Sequence, residues 1–222
     1  MGKQQEERNQ LINDLWHGKR PARVPVNFNA GLEFSLEVFG YSLLREYYLP
    51  EYCFEVADKM AELIGSDNLP CPAESRAPVF RYTLNRFMQP GDDGYFQHPN
   101  YSPMKFEEYP ELIEDAFAFW TKVIRPRSFG IVEEDPNYGE LRMAIADRIL
   151  AQKWANYSSG KLIEKYQREN MEVMSVLSMT PYDYIADYFR NFSEICIDIR
   201  RKPQWVLDAC ESVLTFVGGT LE

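Results

Sequence analysis

The segment that follows the apolar run Met171–Ser178 limits what this chain can fold into more than any other. It reads Thr180-Pro181-Tyr182-Asp183. Thr180 can cap a helix, Pro181 suits a first helical turn, and the Asp183 carboxylate can accept hydrogen bonds from free backbone N–H groups. The pattern predicts a β-strand that leads directly into a helix. In barrels and other α/β enzymes, strand ends of this kind carry the chemistry.

Predicted strands and helices alternate along the chain. The strand candidates are Val24–Phe28, the proline-interrupted Leu69–Ala73 and Met171–Ser178. Apolar spacing and end signals predict helices over 3–16, 50–64, 110–124, 138–157, 161–168 and 203–218. This order favours parallel strand pairing with helical crossovers, but only about three parallel strands can be counted, against the eight that close a barrel. A hairpin over 79–98, with its turn at Pro90–Gly94, is predicted as an insertion.

Composition excludes several classes of partner. The 222 residues are 45% hydrophobic, enough for one sizeable core. The formal net charge of −10 argues against a nucleic-acid or anionic-membrane surface. No apolar run is long enough to span a bilayer, and the first twenty residues lack the apolar centre of a signal peptide. We therefore expect a soluble cytoplasmic protein with neither a nucleic-acid nor a membrane partner.

Cysteine and histidine usage gives no metal motif. The four cysteines are widely spread, which suggests neither a disulfide framework nor a zinc knuckle, and we expect each to be a small buried apolar side chain. His17 and His98 are the only histidines. A metal site built solely from this chain would need mostly carboxylates and sulfurs, and no such cluster is evident in the sequence.

Two blocks carry a resemblance to a known family. The stretch Met179–Val206 resembles the uroporphyrinogen decarboxylase superfamily, particularly its long anaerobic members; it contains Thr180-Pro181-Tyr182-Asp183 and then Asp198-Ile199-Arg200-Arg201-Lys202-Pro203. The second block is similar to the same group and comprises Phe96-Gln97-His98-Pro99, Met104, Glu107-Glu108-Tyr109 and Arg125-Pro126-Arg127. The resemblance implies an α/β fold of the (β/α)₈ TIM-barrel type, with the site at the carboxyl ends of the strands. Residues 1–222 would form the incomplete N-terminal portion of that single barrel domain.

The residues at the exit of the first predicted strand decide which of the family's reactions we expect first. Decarboxylases of the family carry two arginines there to hold substrate carboxylates, whereas this exit reads Phe28-Asn29-Ala30-Gly31-Leu32-Glu33. We therefore expect corrinoid-linked methyl transfer from a small methylated donor, with tetrapyrrole decarboxylation as the alternative. A second alternative is a truncated, non-catalytic half-barrel that acts by assembly or binding. An open sheet edge would favour a homo-oligomer, and methyl transfer would add a corrinoid protein as partner.

The resemblance assigns two catalytic candidates by register. Glu74 falls at the second strand exit, where the decarboxylases have an aspartate that faces pyrrole N–H groups; its plainer interpretation is a solvated loop glutamate near Arg76. Asp187 falls where the family has a tyrosine, with Tyr188 one residue further on. Corrinoid is expected as a methyl acceptor. Zinc is expected only through residues beyond this chain, because the superfamily takes its zinc ligands from the C-terminal half.

Five further residues are substrate-binding candidates. Asn27 and Asn29 share one face of the first predicted strand, either inside the barrel or towards solvent. Tyr182 and Tyr188 could stack on a flat macrocycle or aromatic donor, or serve as packing residues. Asp183 either contacts substrate or only caps its helix.

Overall fold

A computed structural model describes residues 2–149, 154–169 and 179–218, and in these ranges the chain is mainly helical with short β-strands. The chain divides into two compact units. The first unit is made from the described residues within Met1–Val79, Asp92–Tyr95 and Ile145–Val173, and the second from those within Phe80–Gly91, Phe96–Ala144 and Met174–Glu222. None of the described helices is both long enough and apolar enough to cross a membrane.

Helices make up most of the described elements. The α-helices are α1 (Lys3–Trp16), α2 (Leu32–Val38), α3 (Pro50–Leu63), α4 (Ala77–Tyr82), α5 (Tyr109–Glu114), α6 (Ala116–Phe119), α7 (Arg125–Ser128), α8 (Gly130–Glu134), α9 (Gly139–Ala146), α10 (Trp154–Tyr166), α11 (Pro181–Tyr184), α12 (Phe192–Arg201) and α13 (Pro203–Gly218). Single 3₁₀ turns lie at Glu46–Tyr48 and Phe106–Glu108, and π-helical turns at Trp120–Ile124 and Ile185–Arg190. The strands are β1 (Gln89–Pro90) and β2 (Phe96–Gln97).

The predicted helices α1 and α3 are confirmed, and α3 shows why. Pro50 occupies its first turn, where the missing N–H costs nothing. Its apolar residues recur every three or four positions, so they form one buried face. That face consists of Cys53, Val56, Ala57, Met60 and Ala61. The helix ends before the extended residue Ile64 and Gly65.

Two extended segments of the first unit run side by side in the same direction. The Asp67 N–H donates to the Val26 carbonyl at 2.7 Å, and the Ala30 N–H donates to the Pro70 carbonyl at 2.6 Å. Between these bonds, the Asn68 side chain takes the place of the backbone. Its Oδ1 accepts from the Phe28 N–H at 3.0 Å and its Nδ2 donates to the Phe28 carbonyl at 2.8 Å.

The first two predicted strands are therefore extended but do not form a regular β-ladder. At 24–28 the Asn68 amide replaces the ladder bonds, and at 69–73 the prolines 70 and 72 lack N–H donors. The third predicted strand, 171–178, lies outside the described residues. Just before it, Glu169 pairs with Asn68 in parallel, and the Leu69 N–H donates to the Glu169 carbonyl at 2.8 Å.

The predicted hairpin is present but shorter than the sequence pattern indicated. Gln89 pairs with Gln97 and Pro90 with Phe96, in antiparallel orientation. Its turn contains Gly94 at φ 88°, a backbone conformation that favours glycine. The first residues of the predicted range instead belong to α4, which ends at Tyr82. Beyond that end, the Asn85 N–H donates a hydrogen bond to the Phe80 carbonyl at 3.0 Å.

The second unit has a core built from α5, α6 and the helices after residue 180. Its fully buried side chains include Met104, Leu112, Ile185, Phe189, Ile195 and Val213. The predicted helix 110–124 is broken at Asp115, because this residue turns extended and its carboxylate accepts the Ala118 N–H at 2.9 Å to cap α6. The predicted helix 138–157 is helical at 139–149, with the last three of these residues π-helical, and again from Trp154, while residues 150–153 lie outside the described residues.

The cysteines divide by environment. Cys53 and Cys71 are buried as expected, and Cys210 is partly exposed. The expectation is wrong for Cys196, which is exposed on α12. It follows Ile195, which is fully buried, so the next position along the helix faces away from the core.

Candidate active site

The ends of the two parallel extended segments of the first unit carry a cluster of ionisable side chains. The first segment ends at Gly31 (φ 51°) and leads into α2, whose first turn contains Glu33. The second ends at Cys71 and continues to Glu74. The Cys71 thiol lies 4.0 Å from the Gly31 carbonyl oxygen, and the Ser35 hydroxyl donates to that same carbonyl at 2.7 Å. The Cys71 contact and the hydrogen bond from the Ala30 N–H to the Pro70 carbonyl join the two segment ends, and the Ser35 bond fixes the start of α2.

Glu74 has the most unusual environment in this cluster. Its Oε2 atom is buried and has no hydrogen-bond partner in the described part of the chain. Burial raises the pKa of the Glu74 carboxyl, opposed by a backbone hydrogen bond at Ala73 and by the charge of Arg76. A carboxyl with a raised pKa keeps its proton further towards neutral pH than an exposed glutamate does. Glu74 can therefore donate a proton or a hydrogen bond.

Tyr47 and Glu33 form a second pair beside it. The Tyr47 hydroxyl donates to Glu33 Oε1, and the tyrosine is only 7% exposed. Burial first, and the hydrogen bond to Glu33 second, raise the pKa of Tyr47 well above its usual range. Tyr47 thus stays protonated, and its hydrogen bond fixes the position of the Glu33 carboxylate.

The two thiols near these groups, Cys53 and Cys71, are unreactive at neutral pH. Burial raises the pKa of Cys53 to about 12 and that of Cys71 to about 11. The negative charges of Glu33 and Glu74 raise the pKa of Cys71 further, so both carboxyls lie within electrostatic reach of this thiol. Both cysteines are protonated at neutral pH, and a thiol in that state is neither a nucleophile nor a metal ligand. Among the described residues, no group of three histidine, cysteine or acidic side chains could hold a metal ion.

Three of the predicted site residues belong to the first unit. Glu74 is part of the cluster. Asn29 lies at its edge, where its side-chain oxygen accepts the Gly31 N–H at 3.1 Å, and the asparagine itself is exposed. Asn27 is also exposed and lines a cavity near the other end of the same segment. Neither asparagine has the buried environment of a barrel interior.

The other four belong to the second unit. The Asp183 carboxylate accepts from the Thr180 hydroxyl at 2.8 Å and from its N–H at 3.2 Å, and the Asp183 N–H donates back to the hydroxyl. This reciprocal cap on α11 confirms the helix start that the sequence predicted. Tyr182 and Asp187 are half-buried.

Tyr188 lies in an aromatic cluster of the second unit. Its ring centroid is 5.0 Å from that of Phe87, 5.7 Å from Tyr184 and 6.3 Å from His98. The contact with Phe87 is edge-to-face, an arrangement that stabilises aromatic packing. The half-buried Tyr188 ring is therefore held by packing and keeps part of its surface accessible.

Sequence reasoning did not identify Glu33, Tyr47 or Cys71 as site residues. Glu33 had a usable signal, because it stands in the first turn of the helix that follows the first segment end. Tyr47 had none, since its hydrogen bond to Glu33 depends on tertiary packing. Cys71 was expected to be buried, but its two acidic neighbours could not be seen in the sequence.

Comparison with known proteins adds no relative. No family model matches the chain, and no curated protein or solved structure matches it either.

Proposed function

We propose that this chain belongs to an enzyme of the uroporphyrinogen decarboxylase type that transfers a methyl group from a small methylated donor to a corrinoid. The observation that carries the proposal is Glu74, a half-buried glutamate beside the two segment ends, whose buried Oε2 atom has no partner among the described residues and whose pKa is raised by burial. A barrel of that family is part of the proposal. Its support is the parallel course of the segments at 26–30 and 67–70 and the parallel pairing of Asn68 with Glu169.

The chemistry assigned to Glu74 is general acid catalysis. A methyl group leaves oxygen, nitrogen or sulfur more easily when the leaving atom gains a proton, because the departing charge is neutralised. In the proposed step the methyl–heteroatom bond breaks, the methyl group passes to the acceptor, and Glu74 gives its proton to the heteroatom. General acid catalysis of this kind contributes roughly 10²- to 10⁴-fold in rate. The corrinoid, when bound, supplies the nucleophile that accepts the methyl group.

Glu33 and Tyr47 have a supporting role in this proposal. The Glu33 carboxylate, held by the Tyr47 hydroxyl, places a fixed negative charge near the segment ends. The same charge would repel a polycarboxylate substrate.

Tetrapyrrole decarboxylation is the second candidate, and one observation favours it. The free Oε2 atom of Glu74 is a vacant acceptor that could take a hydrogen bond from a pyrrole N–H. In that reaction Glu74 would act in its ionised form, by stabilising positive charge on the ring. The two functions therefore require opposite protonation states of the same residue.

The test follows methylation of chemically reduced corrinoid by visible absorbance, with methanol, methylamines, methyl thiols and methoxylated aromatics as donors. We expect at least one donor to react, at a rate that falls as pH rises through the pKa of Glu74. The Glu74→Gln variant should lower this rate about 10²- to 10⁴-fold. Glu107→Gln, the same change at an exposed site of the second unit, should leave it unchanged.

Uroporphyrinogen turnover that rises with pH, without methylation by any donor, would replace the first function by the second. If neither substrate class reacts, catalysis through Glu74 is wrong.

A further inference from the structure

The first unit contains a cavity that the proposed reaction does not use. It has a volume of about 560 Å³ and lies between α1 and the beginnings of the extended segments. Asn13 and Trp16 line it from α1, Pro25 and Asn27 from the first segment, and Asn68 from the second. Its volume is in the range of small-molecule sites, which is roughly 300–1,000 Å³.

Two carboxamides in this cavity are available to a ligand. Within the described part of the chain, the side chains of Asn13 and Asn27 make no hydrogen bond, and both residues are exposed. By contrast, the Asn68 side chain already makes hydrogen bonds to the backbone of Phe28 and Leu69. A carboxamide offers two donor hydrogens and one acceptor oxygen, which matches hydroxyl groups that both donate and accept.

Trp16 gives the cavity a flat apolar surface. Its side chain is 60% exposed although tryptophan is usually well buried. It stands three residues after Asn13 on α1, so both project from the same side of the helix. Pro25 contributes a second apolar surface to the same cavity. A ring with one apolar face and hydroxyl groups at its edge would use the indole and the amides together.

The charges of the lining disfavour anions. No lysine or arginine is among the described residues that line the cavity. Glu169 lines it and, among the described residues, accepts from the neutral amides of Gln5 at 2.6 Å and Asn9 at 3.0 Å. Asp67 is already paired with Arg23, whose Nη1 lies 2.7 Å from its Oδ2. The Glu169 carboxylate, whose partners among the described residues are neutral, would repel a phosphate or a carboxylate.

We propose that this cavity binds an uncharged pyranose. The apolar face of the sugar ring lies on Trp16, and its hydroxyl groups exchange hydrogen bonds with the amides of Asn13 and Asn27. This site is independent of Glu74 and of the methyl-transfer proposal, so each can fail without the other.

The test measures binding of the methyl glycosides of glucose, galactose and mannose by saturation-transfer NMR and by tryptophan fluorescence. We expect at least one glycoside to bind. Asn13→Ala and Asn27→Ala should each weaken it about 2- to 12-fold, the range for one hydrogen bond, and Trp16→Ala should weaken it more. Asn137→Ala, the same change at an exposed turn of the second unit, should have no effect. All three test positions are exposed, so the variants should fold, which circular dichroism will verify.

Three results would overturn the proposal. The first is no binding of any glycoside at tens of millimolar. The second is binding that Asn27→Ala and Trp16→Ala leave unchanged, since the sugar would then lie elsewhere. The third is tighter binding of glucose 6-phosphate than of methyl glucoside, because the lining would then select an anion.

Discussion

Asp198 is expected to be the most costly polar residue to remove from the second unit. Its side chain is completely buried and accepts from Arg190 Nε at 2.6 Å and Nη2 at 3.2 Å, and from the Tyr109 hydroxyl at 3.1 Å. Arg190 is itself only 3% exposed, and its Nη1 donates to the Met104 carbonyl at 2.7 Å. In Asp198→Ala the guanidinium stays buried without this counter-ion, and the tyrosine hydroxyl loses its acceptor.

The size of the effect follows from that burial. Removing one partner of a buried ion pair costs about 3–5 kcal/mol, because the remaining charge is left uncompensated. A chain of this size loses roughly 2–4 °C in melting temperature per kcal/mol, so Asp198→Ala should melt about 6–20 °C below the wild type. Glu194 also pairs with Arg190, at 2.8 Å, but its side chain is 44% exposed. Glu194→Gln should therefore cost about 1 kcal/mol or less.

The assay is urea unfolding followed by tryptophan fluorescence. Trp205 reports on this core, because its ring centroid lies 6.2 Å from that of Tyr109. Asp198→Ala removes a buried carboxylate from Arg190, and Glu194→Gln removes a half-exposed one from the same arginine, so the two variants contrast the two environments. Equal losses of stability in the two variants would refute the reasoning.

Three further predictions concern the first unit. Gly94→Ala should destabilise the chain by about 1–3 kcal/mol in thermal unfolding, because φ is 88° and a Cβ atom would lie 2.6 Å from Leu43 Cβ; an unchanged melting temperature would contradict the turn geometry. Tyr47→Phe should cost about 0.5–1.5 kcal/mol in urea unfolding through the lost bond to Glu33, and a loss below that range would mean that the bond contributes nothing. Because the pKa of Glu74 is raised, the folded chain binds more protons than the unfolded chain at pH values between the usual glutamate pKa and the raised one. The free energy of unfolding of the wild type should therefore fall as pH rises through this window. Glu74→Gln should lack that part of the pH dependence, and identical pH profiles of stability would show that the pKa is not raised.

The helices that the sequence predicted correctly are those with signals inside the element. In α3 the spacing of Val56, Ala57 and Met60 defines the buried face, and in α11 the pair Thr180 and Asp183 forms the reciprocal cap. Where a polar side chain competes for backbone groups, the prediction was wrong. The Asn68 amide interrupts the ladder of the first strand.

The candidate site was predictable only in part, for a similar reason. Glu74 could be placed only through the family resemblance, which sets it at the exit of the second predicted strand. Its burial, the pairing of Glu33 with Tyr47 and the acidic surroundings of Cys71 depend on how α2, α3 and the segment ends pack. Such tertiary contacts leave no periodic signal in a single sequence.

The central claim is that the Glu74 carboxyl keeps its proton to higher pH than an exposed glutamate does. The most direct test is a pH titration of the chain with ¹³C-labelled glutamate side-chain carboxyls, in which Glu74→Gln identifies the resonance of Glu74. We predict that this carboxyl titrates clearly above the ordinary glutamate value of about 4.3, apart from the exposed glutamates. A titration at or below that value would mean that Glu74 is ionised at neutral pH and would contradict its assignment as the general acid.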